Sequence, residues 1–321
     1  ENGTTITCWE ANVVPGYTIT KLQANGTEER DLSAAITPEA GKFYNITLDY
    51  DPGYTTTTDD QGQTIYNTDN GKGLKNLAKL VNEEGKTDID ITLTGDITLT
   101  GEWTPIGTYD KPYTGTFDGG NHTITGLTIT TKDQFVGLFG YLNRAGTVKN
   151  VVMEGVQITS NQIYGGSIGG VVGSGWGTIE NCSVSGSVSG TVYVGGVVGV
   201  QIGGSITGCS SSATVKGMVD VSGVAGQTNS SATLTACYAT GNVIIEMALK
   251  KNIAGGGLVG MNAGSSLLAC YATGNVTSTG SSTGYVHIGG FLGNNYTTVT
   301  ACYWKNNHEQ GIGYNKKSTE A

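Results

Sequence analysis

A block of 26 to 34 residues recurs between Gly140 and Gly293, and this repeat constrains the fold more than any other feature of the chain. Each copy carries a short glycine motif, which reads VGLFG, GGVVG, GGVVG, GVAG, GGLVG and GGFLG in order. The last glycines of these motifs lie 33, 26, 27, 34 and 33 residues apart. A unit this short cannot bury an apolar face alone, so neighbouring copies must stack on one another. The repeat therefore predicts a solenoid.

A second block follows each glycine motif and contains one aligned column of small apolar residues. The column consists of Val151, Cys182, Cys209, Cys237, Cys270 and Cys302. Six residues after the four middle cysteines stand Val188, Val215, Val243 and Val276. Side chains alternate along a strand, so residues at an even spacing share one face. We expect the column to face the interior of the solenoid.

The length of the repeat indicates which solenoid is formed. At about 3.3 Å per strand residue, 26 residues trace roughly 85 Å, which suits three short strands with glycine-rich corners. Connections between parallel strands are almost always right-handed. The sequence therefore predicts an all-β, right-handed parallel β-helix. About six repeat coils should cover residues 137–304, with lead-in coils before them and extra residues of the longer copies in corner loops.

The residues before the repeats divide into three parts. Residues 1–57 alternate like strands and predict a small β-rich segment, whereas residues 58–72 read as a polar linker. Residues 73–85 (GLKNLAKLVNEEG) place Leu74, Leu77, Leu80 and Val81 on one side of a helix that stops at Gly85. We expect this helix to cap a β-helix domain that spans residues 73–321.

Composition excludes several classes of function. The net charge of −9 is unsuited to a nucleic-acid partner, which requires a basic face. The sequence has no run of about 20 apolar residues that could span a bilayer. Residues 1–10 do not resemble a signal peptide, and a membrane anchor upstream of Glu1 is left open. We expect a monomer that uses no cofactor.

The cysteines of the column are interpreted as core residues. Inside a narrow coil a cysteine behaves as a small apolar side chain. Stacked side chains keep their Cβ atoms about 4.8 Å apart, farther than the roughly 3.8 Å that a disulfide prefers. We therefore expect reduced thiols without a catalytic or metal-binding role. Cys8 lies outside the repeat and has no obvious partner.

If the cysteines point inward, the residues after them point outward. This places Tyr238, Tyr271 and Tyr303 in one column on the outer surface of the last three coils. Such tyrosines either stabilise the sheet through contacts on the same face or form an aromatic platform for a sugar or protein ligand. Both interpretations stay open at this point.

The enzymatic alternative is a polysaccharide lyase or hydrolase on a β-helix scaffold. That chemistry requires clustered carboxylates. In the repeats, Asp220 and Glu246 are the acids that come near each other in the pattern, with Lys216, Lys250 and Lys251 close by. Charges on a long loop also serve solubility alone. We predict no catalytic residues and no metal site.

The repeats resemble the GLUG-motif family of bacterial surface and secreted proteins. Residues 256–276 (GGLVGMNAGSSLLACYATGNV) and 169–188 (GGVVGSGWGTIENCSVSGSV) carry the resemblance, and residues 103–129 resemble the coil that commonly precedes such repeats. The similarity covers about residues 73–304. Residues 1–57 resemble fimbrillin-like β-sandwich modules of surface appendages. GVAG, at residues 223–226, lacks the doubled glycine, so we expect a distorted coil there.

The resemblance implies a β-helix at the cell surface, secreted or associated with the outer membrane, with a role in adhesion. Its partner would be a glycan or protein of a host or neighbouring cell. Some relatives are attached to immunoglobulin-cleaving metallopeptidases, which need a His-Glu-x-x-His helix. The histidines here are His122, His287 and His308, and none has that spacing. A non-enzymatic adhesin or interaction protein is therefore predicted, with the lyase or hydrolase and a purely structural stalk as alternatives.

Overall fold

The computed structural model describes residues 16–22, 30–42, 51–162, 165–247, 252–305 and 308–316. The chain forms two compact units, Glu1–Asp51 and Pro52–Ala321. In the first unit, the described residues include one antiparallel pair of strands, Ile19–Leu22 and Arg30–Ile36. The sandwich-like module over residues 1–57 stays a prediction, because Cys8 and residues 43–50 of the expected strand lie outside the described residues.

The second unit is a parallel β-solenoid of about eight turns. Successive turns pair in parallel and build three sheets of 6, 15 and 12 strands. The six-stranded sheet contains Phe135–Val136, Ser167–Ile168, Val192–Gly195, Val219–Ser222, Ile253–Gly256 and Val286–Gly289. The prediction of a parallel β-helix is confirmed, whereas the count of six repeat coils stays an interpretation of the sequence.

The other two sheets form the remaining sides of the solenoid. The 15-stranded sheet contains Thr55–Thr58, Thr64–Thr68, Asp90–Leu93, Thr116–Asp118, Phe139–Leu142, Thr147–Lys149, Val172–Gly175, Thr178–Glu180, Val198–Thr207, Ala225–Thr235, Val259–Ala263, Ser266–Leu268, Leu292–Asn295, Val299–Thr300 and Ile312–Asn315. The 12-stranded sheet contains Ile97–Thr98, Thr123–Thr125, Thr128–Thr131, Val152–Ser160, Ser183–Ser189, Ser210–Ser211, Thr214–Gly217, Tyr238–Ala239, Val243–Met247, Tyr271–Ala272, Val276–Gly280 and Tyr303–Trp304.

Matching positions of the repeats lie above one another in the interior. Val148 pairs with Ile179, and Ile179 pairs with Ile206. All three side chains are fully buried. Burying one such side chain contributes about 1.5–3 kcal/mol. Stacked apolar columns therefore supply the stability that a single coil lacks.

One helix, Gly71–Asn82, packs over the first coil in the part of the chain that the structure describes. Asn70 caps it, since its Oδ1 accepts a hydrogen bond of 2.9 Å from the Gly73 N–H. The predicted bounds were 73–85. The helix ends earlier because the Glu84 N–H donates to the Lys79 carbonyl and the Lys86 N–H to the Leu80 carbonyl, instead of continuing the regular bonds to the fourth residue back. Its buried residues are Gly73, Leu74, Leu77, Ala78, Leu80 and Val81. No described helix has the length and apolar character needed to cross a membrane.

A hairpin stands where a polar linker was expected at residues 58–72. Thr55–Thr58 pairs antiparallel with Thr64–Thr68, which then pairs in parallel with Asp90–Leu93. Threonine favours strands, and an edge strand needs no apolar face. The polar composition therefore concealed two strands, and the division between the compact units falls at Asp51 rather than at residue 57.

A ladder of buried polar side chains runs through the last coils, and the sequence did not indicate it. The column contains buried Thr228, Asn262 and Asn295 and half-buried Asn315, which pair in register from one turn to the next. The hydroxyl of Thr228 donates to Oδ1 of Asn262 at 3.2 Å. The Asn295 amide donates to Oδ1 of Asn315 at 3.1 Å. Each side-chain amide thus finds a partner in the neighbouring coil.

The GVAG motif at residues 223–226 is not distorted, contrary to expectation. Ser222 occupies the place of the missing glycine and pairs in register with Gly195 and Gly256. Its buried hydroxyl donates a hydrogen bond of 2.6 Å to the Ala225 carbonyl. This local bond satisfies the serine, so the coil keeps the regular pairing.

Trp304 lies at the last described strand of the 12-stranded sheet. It is in register with Ala272, which in turn pairs with Ala239, and both alanines are buried. The indole follows the small side chains of Ser211, Ala239 and Ala272, whereas earlier coils hold larger residues such as Met153 in the same column. A Cβ added to Gly311 would lie 2.5 Å from the indole ring, so a glycine is needed for this contact.

Candidate functional site

The predicted tyrosine column lies on the outside of the 12-stranded sheet. Tyr238 pairs in register with Tyr271, and Tyr271 pairs with Tyr303. The rings of Tyr238 and Tyr271 are stacked, with centroids 4.9 Å apart and planes 3° from parallel. Both are about a third exposed, at 36% and 39%, whereas Tyr303 is 69% exposed. The stack therefore joins two rings and leaves the third more accessible to solvent.

The corner before each tyrosine strand determines where the ring points. Ala236, Ala269 and Ala301 adopt left-handed backbone conformations, with φ of 53°, 55° and 48°. Each stands directly before a cysteine, whose side chain turns inward and leaves the following tyrosine on the outer surface. In earlier coils the same corner holds Asn150 and Asn181, which accept this conformation more readily.

Four cysteines of the predicted core column are buried: Cys182, Cys209, Cys237 and Cys270. Cys302 is only half-buried, because its strand is the last described one in the sheet. All five are free thiols. Each thiol lies near the carbonyl two residues earlier, as for Cys237 and Thr235 at 3.3 Å. A hydrogen bond with Cys182 and burial raise the pKa of Cys209 well above its ordinary value. The Cys209 thiol is therefore a poor nucleophile.

The acids considered for an enzymatic role do not form a shared cluster. Glu246 forms an ion pair of 2.9 Å with Lys216, and both side chains are 45% exposed. Asp220 lies on the Val219–Ser222 strand of the six-stranded sheet, whereas Glu246 lies in the 12-stranded sheet. Asp220 is buried, which raises its pKa to about 7. Lys250 and Lys251 lie outside the described residues.

Metal-binding groups are likewise dispersed. Across the described ranges, no three side chains of histidine, cysteine, aspartate or glutamate come together in a way that could hold a metal ion. The cysteine column presents one thiol per coil, facing backbone carbonyls instead of a common centre.

A second aromatic surface, which the sequence did not indicate, forms an open groove. Tyr109, Tyr141, Asn143, Arg144 and Trp176 line it, and it encloses about 400 Å³. We call it the Arg144 groove. Its rim continues through Phe135, on which the Tyr109 ring stacks with a centroid distance of 6.1 Å. The Tyr141 ring contacts both at near right angles, at 5.4 Å from Tyr109 and 5.1 Å from Phe135.

The loop that carries Tyr109 is anchored to the end of the helix. The Asn82 amide donates to the Pro105 carbonyl at 2.8 Å and its Oδ1 accepts from the Gly107 N–H at 2.8 Å. Lys111 donates from Nζ to the carbonyl of Asn82 at 2.6 Å. These bonds hold both sides of Tyr109, so its 67% exposed ring projects from a fixed loop.

The other side of the Arg144 groove depends on stacking between coils. The backbone N–H of Trp176 donates to the Leu142 carbonyl at 3.0 Å, and this bond places the indole beside the turn that contains Arg144. The Arg144 guanidinium lies over the indole, 5.0 Å from its centroid. A Cβ on Gly203 in the next coil would come within 2.7 Å of the indole ring. A glycine there gives Trp176 the room it requires.

Comparison with known proteins identifies the repeat. Residues 164–189 and 190–216 match the GLUG motif. The chain carries GLUG repeats. Halomucin from Haloquadratum walsbyi is 38% identical over 91 residues, which is 28% of this chain and 1% of that protein. A "putative Gly-rich membrane protein" from Evansella cellulosilytica is 34% identical over 100 residues, or 30% of this chain and 11% of that protein. The chain thus spans a small part of these relatives.

A solved structure shares the fold of the GLUG-repeat chain. It is named as that of a "putative immunoglobulin A1 protease" from Bacteroides ovatus, with a TM-score of 0.61 and 21% identity. The match covers 81% of this chain and 85% of the other. At this identity the likeness shows the solenoid fold alone.

Proposed function

We propose that the GLUG-repeat chain is a non-enzymatic adhesin or interaction protein that acts as a monomer at the cell surface. It presents one face of the solenoid to a glycan or protein of a host or neighbouring cell. The observation that carries this proposal is the exposed, parallel pair of Tyr238 and Tyr271, continued in register by Tyr303. A tyrosine offers a flat apolar face with a polar tip, which suits both sugar rings and protein surfaces.

The column position does not require tyrosine for folding. In earlier coils the same register holds Ser183 and Ser210, and Ser210 pairs directly with Tyr238. Serine is therefore compatible with this outer position. A cross-strand aromatic pair contributes about 0.2–1 kcal/mol. This contribution to stability is small for a solenoid that already has long apolar columns. The small contribution favours a binding role for the rings.

The test replaces all three rings with the residue that the earlier coils use. A variant with Tyr238→Ser, Tyr271→Ser and Tyr303→Ser is compared with the natural chain in melting temperature and in binding to glycan arrays and whole cells. Tyr285→Ser is the matched control, because Tyr285 is 72% exposed and lies outside the column. We expect the triple variant to lose binding per folded molecule and the control to keep it. Reduced stability with unchanged binding would contradict the proposal.

A further inference from the structure

We propose that the Arg144 groove binds an acidic saccharide, with its pyranose ring against the tyrosines and its carboxylate on the Arg144 guanidinium. This site is separate from the tyrosine column. It lies where the Phe135–Val136 strand of the six-stranded sheet and the Phe139–Leu142 strand of the 15-stranded sheet meet. The column lies on the 12-stranded sheet, so the two surfaces are tested independently.

The charge of the groove points to an anion. Arg144 is the one charged residue among those that line it. Within the described residues, no carboxylate forms an ion pair with the guanidinium, whose recorded contact is the face of Trp176. A guanidinium is planar and binds a carboxylate through two parallel hydrogen bonds, and stacking on an aromatic face leaves its N–H edge available. In a chain of net charge −9, this unpaired cation attracts an acidic group locally.

Further donors in the groove favour a ligand rich in oxygen. The Asn143 amide nitrogen and the Trp176 indole N–H have no hydrogen-bond partner among the described residues, although Oδ1 of Asn143 accepts from the Ala145 N–H at 3.4 Å. Hydroxyl and carboxylate oxygens of a sugar acid accept such bonds. The groove therefore combines several donors with one cation and contains no acid that would repel the ligand.

The aromatic side of the groove suits a ring with an apolar face. Tyr109 is 67% exposed and is held by a loop fixed to Asn82. The C–H groups on one side of a pyranose ring form a flat apolar surface, which matches an exposed aromatic ring. Because the loop is already ordered, little conformational entropy is lost on binding.

The test uses trigalacturonic acid and its fully methyl-esterified form, which keeps the rings and removes the charge. Calorimetry should show that the natural chain binds the acid roughly tenfold or more tightly than the ester, and less tightly at high salt. Arg144→Gln should remove this preference, whereas Tyr109→Ser should weaken binding of both probes. Equal affinity for acid and ester, no binding of either, or an unaffected Arg144→Gln variant would each overturn the proposal.

Two controls separate this site from the rest of the surface. Tyr285→Ser removes a tyrosine that is as exposed as Tyr109, at 72%, and should leave binding of the acid unchanged. The triple serine variant of the tyrosine column should also bind the acid normally, even if it fails to bind cells. Loss of binding in either control equal to that of Tyr109→Ser would place the site elsewhere and overturn the assignment. Circular dichroism verifies that each variant is folded.

Discussion

The side-chain amide of Asn262 donates a hydrogen bond of 2.8 Å to Oδ1 of Asn295, and both side chains are buried inside the solenoid. Oδ1 of Asn262 in turn accepts from the N–H and the hydroxyl of Ser265 at 2.8 Å and 2.6 Å. One asparagine therefore joins two coils and closes the turn that follows its own strand. Without this amide the Ser265 N–H would lose its acceptor, whereas the Ser265 hydroxyl would keep Thr228 at 2.7 Å and Oδ1 of Asn295 would keep the distant Thr297 N–H at 3.5 Å.

Asn262→Ala should lower the free energy of unfolding by about 3 kcal/mol, because buried groups that lose their partners cost about 1–3 kcal/mol each. Denaturant unfolding measures the change. Asn294→Ala is the matched control in the next coil, since Oδ1 of Asn294 is buried without a partner. We expect the control to be neutral or stabilising. Equal losses in both variants would show that the ladder has no special role.

Ala269→Asn should stabilise the chain by about 0.5–1 kcal/mol. Ala269 has a φ of 55°, a conformation that costs an ordinary residue about 1–2 kcal/mol and that asparagine adopts more readily. Asn181 occupies the equivalent corner with a φ of 50°. Thermal unfolding provides the measurement. Ala145→Asn, at an exposed turn residue without a positive φ, should bring no gain, and an equal gain there would refute the backbone explanation.

The four buried thiols should resist maleimide at pH 8 until the chain is denatured. A hydrogen bond with Cys237 raises the pKa of Cys270 to about 11, despite an opposing hydrogen bond with Cys302, and burial raises it further. Half-buried Cys302 should be labelled slowly, because its hydrogen bond with Cys270 also raises its pKa. Mass spectrometry of a Cys8→Ser background counts the labels. Adding Cys302→Ser should abolish native labelling, and rapid labelling of several thiols would contradict the inward column.

Asp220→Asn should raise stability at pH 8 and change it little below pH 4. Burial raises the pKa of Asp220 to about 7, so the folded chain binds this proton more tightly than the unfolded chain does. This contribution is complete below about pH 4, where unfolded aspartate is protonated, and is lost as the pH rises through about 7. Asparagine also tolerates the φ of 50° at this position. The gain at pH 8 should be about 4 kcal/mol, because it reflects the rise in pKa from about 4 to about 7, and denaturant unfolding measures it.

The titratable neighbour of Asp220 among the described residues is Tyr193 on the preceding coil. Burial, with Asp220 as a further cause, raises the pKa of this phenol. Tyr193 therefore stays neutral across the range tested. Glu246→Gln is the control, because its exposed pair with Lys216 contributes about 0–1 kcal/mol. A pH profile of Asp220→Asn identical to that of the natural chain would show that this carboxyl does not titrate near pH 7.

The sequence predicts those parts of the fold in which every coil must present a side chain of similar size and polarity to the next coil. Val148, Ile179 and Ile206 could be aligned because stacking requires an apolar residue at each level. The Thr55–Thr58 strand escaped notice because an edge strand without a buried side shows no apolar alternation. Asn262 escaped notice because asparagine beside glycine and serine is also typical of a turn.

The Arg144 groove could not be predicted for a different reason. Tyr109, Arg144 and Trp176 come from different turns, and their proximity depends on the register between coils and on the path of the loop held by Asn82. A useful signal was present in residues 173–177 (GSGWG), where a tryptophan interrupts a run of small residues in the repeat. A large aromatic residue at a corner otherwise occupied by small ones indicates a surface feature of that coil.

Trp304 limits where further coils can be added to the solenoid. A duplicated coil inserted upstream brings its own alanine, like Ala239 and Ala272, and extends the existing columns without altering their neighbours. A coil inserted directly after Trp304 would have to pack against an indole, whereas the preceding coils present only the methyl groups of Ala239 and Ala272 at this position. Gain and loss of repeats during evolution should therefore occur between the N-terminal helix and Trp304. Homologues of different length should differ by whole coils within this interval.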